Sequence, residues 1–223
     1  MLKPGMEIFD VDHTITRRSS GRCFVMQGVR MGLLPLSFYL SLPYYYLKYR
    51  VGGPLFGDMG KDLLGRGFPE LIDKSVEEIE RVSRQSFEEE LIRDIFPQAF
   101  ELIRNLKTVG RRVVLATSSI DIVIRPLAEY LGVEDVIATR LEFKHGICTG
   151  RFLSAPLFGE EKKRRVVEYL ESLEYRLDDC SFYSDSFHDL PLLGAVGRPV
   201  AVNPDIRLRK IARQRNWDIL RFR

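Results

Sequence analysis

From residue 97 onward, short β-branched or aliphatic runs alternate with helical segments, and this alternation constrains the fold more than any other feature of the chain. Parallel strands need a crossover to reach one another, so helices with short connections favour a parallel sheet covered on its faces. An apolar run at residues 6–9 is typical of one further buried strand. The predicted fold class is therefore α/β, with a Rossmann-like parallel sheet.

The individual elements follow from periodicity and from the residues that end them. Gly110 and Gly132 are predicted to end two of the helices, and His145-Gly146 is predicted to turn a hairpin. The run at 200–202 is predicted to be the last strand. The predicted helices cover residues 75–96, 99–109, 120–131, 160–173 and 190–195, the strands cover 112–116, 136–138, 181–183 and 200–202, and the hairpin covers 141–152.

Residues 17–97 break this alternation, which predicts a helical insertion between residues 1–16 and 98–223. Within the insertion, residues 31–47 carry no charge but include prolines and three consecutive tyrosines. Three readings stay open for this run: helices of a small cap, an amphipathic surface that touches lipid, or a membrane span. The glycine-rich stretch that follows is typical of turns, with a short helix at residues 61–64.

The composition narrows the class of protein. A net charge of +3 is too small to argue for nucleic-acid binding. The three cysteines have no zinc-site spacing and imply no disulfide framework, so a reducing compartment fits. The acidic pair begins at residue 10, which leaves no room for a cleavable signal peptide and predicts a cytoplasmic protein.

The chemistry-bearing residues gather at predicted strand ends. Asp10 and Asp12 follow the first strand, and residues i and i+2 of an extended chain point the same way. Two carboxylates so close require a divalent cation or a shared proton. Because the strand ends of a parallel sheet share one edge, other polar residues there are expected to join them. These residues are Thr117, Ser118, Lys162, Asp185 and Asp189.

Four segments in this order resemble the haloacid dehalogenase (HAD) superfamily, subfamily IB, the phosphoserine-phosphatase-like branch. FDVDHTIT is similar to the first motif, ATSS to the second, Lys162 in FGEEKKRR to the third and YSDSFHD to the fourth. The tail, with its Asn-Pro-Asp turn, resembles the last strand and helix of the family. The resemblance implies a HAD core at residues 1–16 and 98–223 and a helical cap at 17–97.

The resemblance also implies a role for each residue. Asp10 would be the nucleophile that forms an aspartyl phosphate, and Asp12 the general acid and base. Thr117, Ser118 and Lys162 would bind the phosphoryl group. Mg²⁺ would be the cofactor. Its ligands would come from Asp10, Asp12 through its backbone carbonyl, Asp185 and Asp189, the last acting from the second shell or through water.

Plainer readings of the same residues stay open. Asp189 and Thr117 could each be a helix N-cap, and Lys162 could belong to a solvated basic face, with Lys163 as the competitor for its role. His13 and His188 stand where the family often has Gly and Asn, and His188 could support phosphate binding or simply pack. Thr14 is expected to support the turn, and the basic cluster at 207–215 to be a solvated helix or an anionic-surface contact.

The chain departs from phosphoserine phosphatases after the first motif. Those enzymes hold the substrate's amino group with an acid, whereas Arg17, Arg18, Ser19 and Ser20 stand here. We therefore expect a phosphomonoester hydrolase whose small substrate is not phosphoserine. A lipid-linked phosphate of the phosphatidylglycerophosphate type is the alternative, hydrolysed in peripheral contact with the inner membrane surface and favoured by the aromatic residues of 38–49. A catalytically idle binding module and a phosphotransferase remain contrasting readings.

Overall fold

The computed structural model of the protein describes residues 5–40 and 67–223. The strands in these ranges are β1 (Glu7–Phe9), β2 (Val113–Ile120), β3 (Asp135–Thr139), β4 (Leu141–Lys144), β5 (Ile147–Phe152), β6 (Ser181–Ser184), β7 (Arg198–Val202) and β8 (Asp218–Leu220). Six of them form one parallel sheet in the order β3-β2-β1-β6-β7-β8, and β4 and β5 form an antiparallel hairpin. The predicted α/β class with a parallel sheet is confirmed.

Helices pack on both faces of this sheet. The α-helices in the described ranges are α1 (Ser20–Arg30), α2 (Val76–Glu89), α3 (Pro97–Thr108), α4 (Asp121–Leu131), α5 (Gly159–Ser172), α6 (Leu190–Leu193) and α7 (Ile206–Gln214). Successive residues of β1 point to opposite faces. Phe9 joins a buried cluster with Ile103 of α3 and Leu127 of α4, whereas Ile8 joins one with Val166 of α5. The sheet is therefore a buried middle layer, as expected for parallel strands.

The segment between β1 and α3 packs on the core through α4. Phe24 of α1, Ile79 and Val82 of α2 and Ile122 of α4 share one buried cluster. Helix α2 begins with a capping box, in which the Ser75 hydroxyl accepts from the backbone of Glu78 and the Glu78 carboxylate accepts from the backbone of Ser75. This cap satisfies two backbone donors at the exposed end of the helix.

The β4–β5 hairpin is a second support for this segment. It turns at His145 and Gly146, as the sequence predicted, and both residues have positive φ. Backbone bonds join it to residues that precede α2: the Phe68 N–H donates to the Gly150 carbonyl (2.6 Å) and the Cys148 N–H to the Lys74 carbonyl (2.8 Å). The segment before α2 is therefore fixed to the hairpin by main-chain bonds.

Gly67 makes the closest approach at this joint, and Gly67→Ala is expected to lower the free energy of unfolding by about 3–5 kcal/mol. A Cβ at Gly67 would lie 1.9 Å from the Gly150 oxygen, and its φ of +78° disfavours any side chain. Gly146→Ala is the matched control, since φ is +80° there but nothing lies within 4 Å. It should cost only about 1–2 kcal/mol, the backbone strain alone. Chemical denaturation measures both, and equal losses would contradict the predicted contact.

Two predicted elements differ in the structure. The helix predicted over 75–96 ends at Glu89, because the backbone of the following residues bonds elsewhere: the Asp94 carbonyl accepts from Arg17 N–H, and Phe96 N–H donates to the Ile15 carbonyl. The run at 200–202 is not the last strand, because β8 pairs with β7 at the sheet edge. A strand of only three residues has too little periodicity to be recognised before its partner is known.

Part of the insertion lies outside the described residues. This applies to the glycine-rich turns up to residue 66, the helix predicted at 61–64 and the tyrosines within 41–50. Across residues 5–40 and 67–223, no helix combines the length and the apolar character that a bilayer crossing requires.

Candidate active site

Three neighbouring strands bring the candidate residues to one edge of the sheet. Asp10 directly follows β1, Thr117 lies in β2, and Asp185 directly follows β6. The Asp10 N–H donates to the Tyr183 carbonyl at 2.9 Å, which continues the β1–β6 pairing up to the first acid. The convergence expected from a parallel sheet is therefore present in the backbone.

Lys162 of α5 lies between two of the carboxylates. Its Nζ is 2.9 Å from Asp10 Oδ1 and within 2.9 Å of both oxygens of Asp189, and its side chain is only 4% exposed. The Ser184 hydroxyl donates to Asp189 Oδ2 at 2.7 Å. Lys162 rather than Lys163 thus makes this ion pair. Asp189 contacts the lysine directly and Ser184 holds Asp189, so both residues help to fix the position of the Lys162 side chain.

Negative charge exceeds positive charge in this buried site. Burial and the charge of Asp189 raise the pKa of Asp10 to about 7, although Lys162 opposes the shift. Burial and the charges of Asp10 and Asp189 raise the pKa of Asp185 well above its usual range. Burial alone would lower the pKa of Lys162, but Asp10 and Asp189 outweigh it and raise that pKa. The site is therefore able to accept a further cation.

The donor set fits a hard divalent cation. Thr14 links two of the acids: its hydroxyl lies 3.4 Å from Asp10 Oδ2 and accepts from the Asp185 N–H at 3.0 Å. Nowhere in residues 5–40 and 67–223 do three acidic, His or Cys side chains group closely enough to bind a metal alone. Two carboxylates, Asp10 and Asp185, with the Asp12 carbonyl and water, match the oxygen ligands that Mg²⁺ prefers. Asp189 is already engaged by Lys162, so it fits a supporting position better than direct ligation.

Three donors hold the carboxylate of Asp12. The Ser20 N–H donates to Asp12 Oδ1 at 2.8 Å, and the hydroxyls of Ser19 and Ser119 donate to Oδ2 at 3.1 Å each. The Ser20 and Ser119 hydroxyls are themselves 2.7 Å apart. Sequence reasoning missed these three serines because their contact with Asp12 depends on how α1 and the end of β2 meet in space.

Thr117 and Ser118 lie in β2 rather than at the start of a helix. The pairing of β2 with β3 shifts register between Ala116 and Ile120. Strand β2 continues to Ile120, and α4 begins only at Asp121. The Thr117 hydroxyl accepts from the Ser119 N–H at 3.1 Å, which leaves its own proton available to donate. The Thr139 hydroxyl donates to the Ser118 carbonyl at 2.8 Å and braces this turn of the backbone.

The two histidines differ in their surroundings. His13 has a φ of 64°, and its Nδ1 lies 2.8 Å from the Arg17 carbonyl, so it supports the turn after β1. His188 lies one residue before Asp189, and burial lowers its pKa below the usual value. A neutral imidazole at that position adds no cation to the site near neutral pH.

Arg17 and Arg18, which follow the first motif, are both engaged by residues that lie far along the chain. Arg18 is paired with Asp94 (2.5 Å) and Glu90 (3.2 Å), both more than 70 residues away. The Arg17 guanidinium carbon lies 4.8 Å from the centre of the Phe96 ring. The charge of Arg18 is thus paired with acids at the end of α2 and in the turn after it, a pairing that no local pattern in the sequence indicates.

Comparisons with known proteins cover nearly the whole chain. A profile of haloacid dehalogenase-like hydrolases matches residues 8–194. A probable phosphatase of Mycobacterium tuberculosis is 32% identical over 96% of this chain and 74% of its own length. A histidinol-phosphatase of Neisseria meningitidis is 29% identical over 98% of this chain and 99% of its own. A solved substrate complex of a phosphoserine phosphatase superposes with a TM-score of 0.70 at 18% identity over 99% of this chain and 94% of that one, which bears on the fold alone.

Proposed function

The chain belongs to the haloacid dehalogenase-like hydrolase family, as a phosphatase, and we propose that it hydrolyses phosphomonoesters through an aspartyl phosphate on Asp10 with the help of Mg²⁺. The observation that carries the proposal is the contact of Lys162 with both Asp10 and Asp189 in a buried, acid-rich site. A cation placed against a buried carboxylate at a strand end suits a nucleophile that must approach an anionic phosphate.

The proposed reaction has two steps. An Asp10 oxygen attacks phosphorus, the ester oxygen leaves, and the carboxyl of Asp12 supplies its proton. Asp12 then takes a proton from water, which attacks the phosphoenzyme, so that inorganic phosphate leaves and Asp10 is regenerated. Lys162 offsets charge on Asp10 and on the transferring group, and the Thr117 hydroxyl and Ser118 N–H are proposed to bind phosphoryl oxygens.

The proposed magnesium ligands are Asp10, the backbone carbonyl of Asp12, and Asp185, with Asp189 in support. When bound, the ion supplies positive charge that lets an anionic carboxylate and an anionic phosphate approach each other. In the absence of metal, Lys162 is the cation that touches Asp10 in the described part of the chain. Asp10 therefore keeps a raised pKa until a second cation joins the site.

Magnesium affinity is expected to rise with pH through about 7, because the proposed ligands Asp10 and Asp185 both have raised pKa values. The ion needs ionised ligands, and Asp10, with a pKa raised to about 7, must lose its proton to bind. Below that pH the affinity should fall by up to about tenfold per pH unit for each proton displaced. Titration calorimetry from about pH 5.5 to 8 measures this, and Asp10→Asn should bind more weakly with a shallower dependence on pH. An affinity that is constant over that range would contradict the proposed ligand set.

We propose that residues 17–97 act as a cap over the core formed by 1–16 and 98–223. The two connections run side by side, since the Arg17 N–H donates to the Asp94 carbonyl at 2.8 Å and the Phe96 N–H to the Ile15 carbonyl at 2.9 Å. Two of the three serines that hold Asp12, Ser19 and Ser20, stand at the first of these connections. A cap that closes would exclude water and select the leaving group.

The substrate is proposed to be a small phosphomonoester other than phosphoserine. No acid stands in the residues directly after the first motif, where phosphoserine phosphatases hold the substrate's amino group. The acids Glu90 and Asp94 are already paired with Arg18. A lipid-linked phosphate is the second candidate, because Leu36 and Leu40, at the start of the aromatic segment, are 58% and 68% exposed. A cytoplasmic protein, working free or at the inner membrane surface, would meet either substrate.

Phosphate release from a broad panel tests this proposal. The panel contains sugar, nucleotide and amino-acid phosphates, histidinol phosphate, and phosphorylated lipids in detergent, each with Mg²⁺ or EDTA. Metal-dependent release that is lost in Asp10→Asn supports the phosphatase, and the best substrate class decides between a soluble and a lipid-linked pocket. A folded protein that binds Mg²⁺ but releases phosphate from nothing would instead favour the idle binding module.

A further inference from the structure

The charges of helix α7 and the residues just after it are all positive. Residues 206–217 contain five cations and no acid, although the whole chain has a net charge of only +3, so the remainder is net negative. The five cations are Arg207, Arg209, Lys210, Arg213 and Arg215. Within residues 5–40 and 67–223, none of the five lies within ion-pair distance of a carboxylate. Their charge is therefore not neutralised by the described part of the protein.

The outward face of α7 combines this charge with an exposed apolar side chain. Leu208 and Ala212 are fully buried and anchor the helix on the sheet. Ile206 on the other side is 85% exposed, the highest value of any large apolar residue in the described ranges. Arg209, Lys210 and Arg213 follow it at i+3, i+4 and i+7, so all four residues share one stripe. We name these four residues the α7 stripe.

The stripe begins beside the active site. Asp205, the N-cap of α7, accepts from the Leu208 N–H, and its other oxygen accepts from the Phe187 N–H at 2.8 Å. Its own N–H donates to the Asp185 carbonyl at 2.9 Å. The loop that carries Asp185 is thus bonded directly to the end of the helix at which Ile206 lies. A surface bound by the stripe would lie next to the edge of the sheet at which the acids gather.

We propose that the α7 stripe docks the protein on an anionic phospholipid surface. Lys and Arg gain electrostatic energy close to acidic headgroups, and Ile206 gains by inserting among the lipids. A nucleic acid offers phosphates but no apolar layer for Ile206, and the net negative remainder of the chain would oppose a long polyanion. Only the purpose of this docking, which is to bring the site to a lipid-linked phosphate, rests on the proposed function. Docking itself requires no turnover.

Vesicle binding tests the proposal independently of catalysis. The full chain is titrated with vesicles of phosphatidylglycerol and phosphatidylcholine, and with pure phosphatidylcholine, at low and high salt. Preferential binding to the anionic vesicles that weakens with salt is expected, and Asp10→Asn should bind equally well. The triple variant R209Q/K210Q/R213Q should bind about a hundredfold more weakly. Its hydrolysis of a small soluble phosphate should be unchanged, so a failure of docking and a failure of the proposed reaction are told apart.

A charge-matched control separates the stripe from the net charge. R84Q/R104Q/R125Q removes the same number of cations from α2, α3 and α4, where each arginine pairs with a glutamate. This variant should bind anionic vesicles within about threefold of the wild type. Ile206→Ser should weaken binding to vesicles but not to a soluble polyanion such as RNA. Three outcomes would each overturn the proposal: equal losses in the two triple variants, no preference for anionic vesicles, or tighter binding of the wild type to RNA than to anionic vesicles.

Discussion

Replacing Asp10 by Asn is expected to reduce phosphate release by at least about 10⁴-fold while the protein stays folded. The amide has the size of the carboxylate, and its oxygen can still accept from Lys162 Nζ, which lies 2.9 Å from Asp10 Oδ1. It is too weak a nucleophile to displace the ester oxygen, so the first step of the proposed reaction fails. Initial rates on the best substrate of the panel measure the loss, and the thermal unfolding midpoint checks the fold.

Two further variants test whether the loss of activity is specific to Asp10. Asp178→Asn changes an exposed acid that pairs with Arg176, two residues away, and it should leave the rate unchanged. Asp12→Asn should slow both steps on an alkyl phosphate, because Asp12 gives a proton in the first step and takes one in the second. On an aryl phosphate, whose leaving group needs no proton, the phosphorylated enzyme should accumulate, because the water that attacks it has lost its base. An Asp10→Asn protein that retains a tenth or more of the wild-type rate would rule out Asp10 as the nucleophile.

Lys162→Met is expected to cost about 3–5 kcal/mol in the free energy of unfolding and at least about 100-fold in rate. The lysine is buried between Asp10 and Asp189, so its removal leaves two carboxylates without their cation. Denaturant unfolding measures the first effect and initial rates measure the second. The double variant K162M/D189N should recover part of the lost stability, since it removes one of the stranded charges, but should recover no activity.

The neighbouring lysine provides the control for this prediction. Lys163→Met removes the same charge one position along α5, outside the ion pair with Asp10, and it should change both quantities little. If Lys163→Met lost more activity than Lys162→Met, the assignment of the cation would be wrong. If Lys162→Met unfolded no more easily than the wild type, the buried ion pair would contribute nothing to stability.

The sheet and the meeting of the acids were predictable because both follow from simple geometry. Ile8 and Phe9 point to opposite buried faces, and the acids that follow β1 and β6 must then share an edge. Position after a predicted strand was enough to select Asp10 and Asp185, whereas the choice of Lys162 over Lys163 came from the resemblance to the third motif. Their contacts in the structure are consistent with the roles proposed for them, which remain to be measured.

Features that depend on tertiary contacts were not predictable in this way. The serines around Asp12 come from three separate positions, and only the packing of α1 against the end of β2 brings Ser119 to Asp12. The ion pair of Arg18 with Asp94 could not be predicted because the two residues are distant in the chain. The register shift after Ala116 moved Thr117 from an expected helix start into a strand. Each of these features depends on a contact between two segments, and the sequence pattern of neither segment indicates that contact.

The most direct test of the account is to trap the phosphoryl group on the enzyme. Asp12→Asn protein is mixed with Mg²⁺ and an aryl phosphate, whose leaving group needs no proton from Asp12. The reaction is quenched in acid within its first turnover, and the protein is digested and examined by peptide mass spectrometry. We predict a phosphoryl group on the peptide that contains Asp10, and none when Asp10 is also changed to Asn. Turnover with no phosphorylated peptide, or with the phosphoryl group on a different residue, would contradict the account.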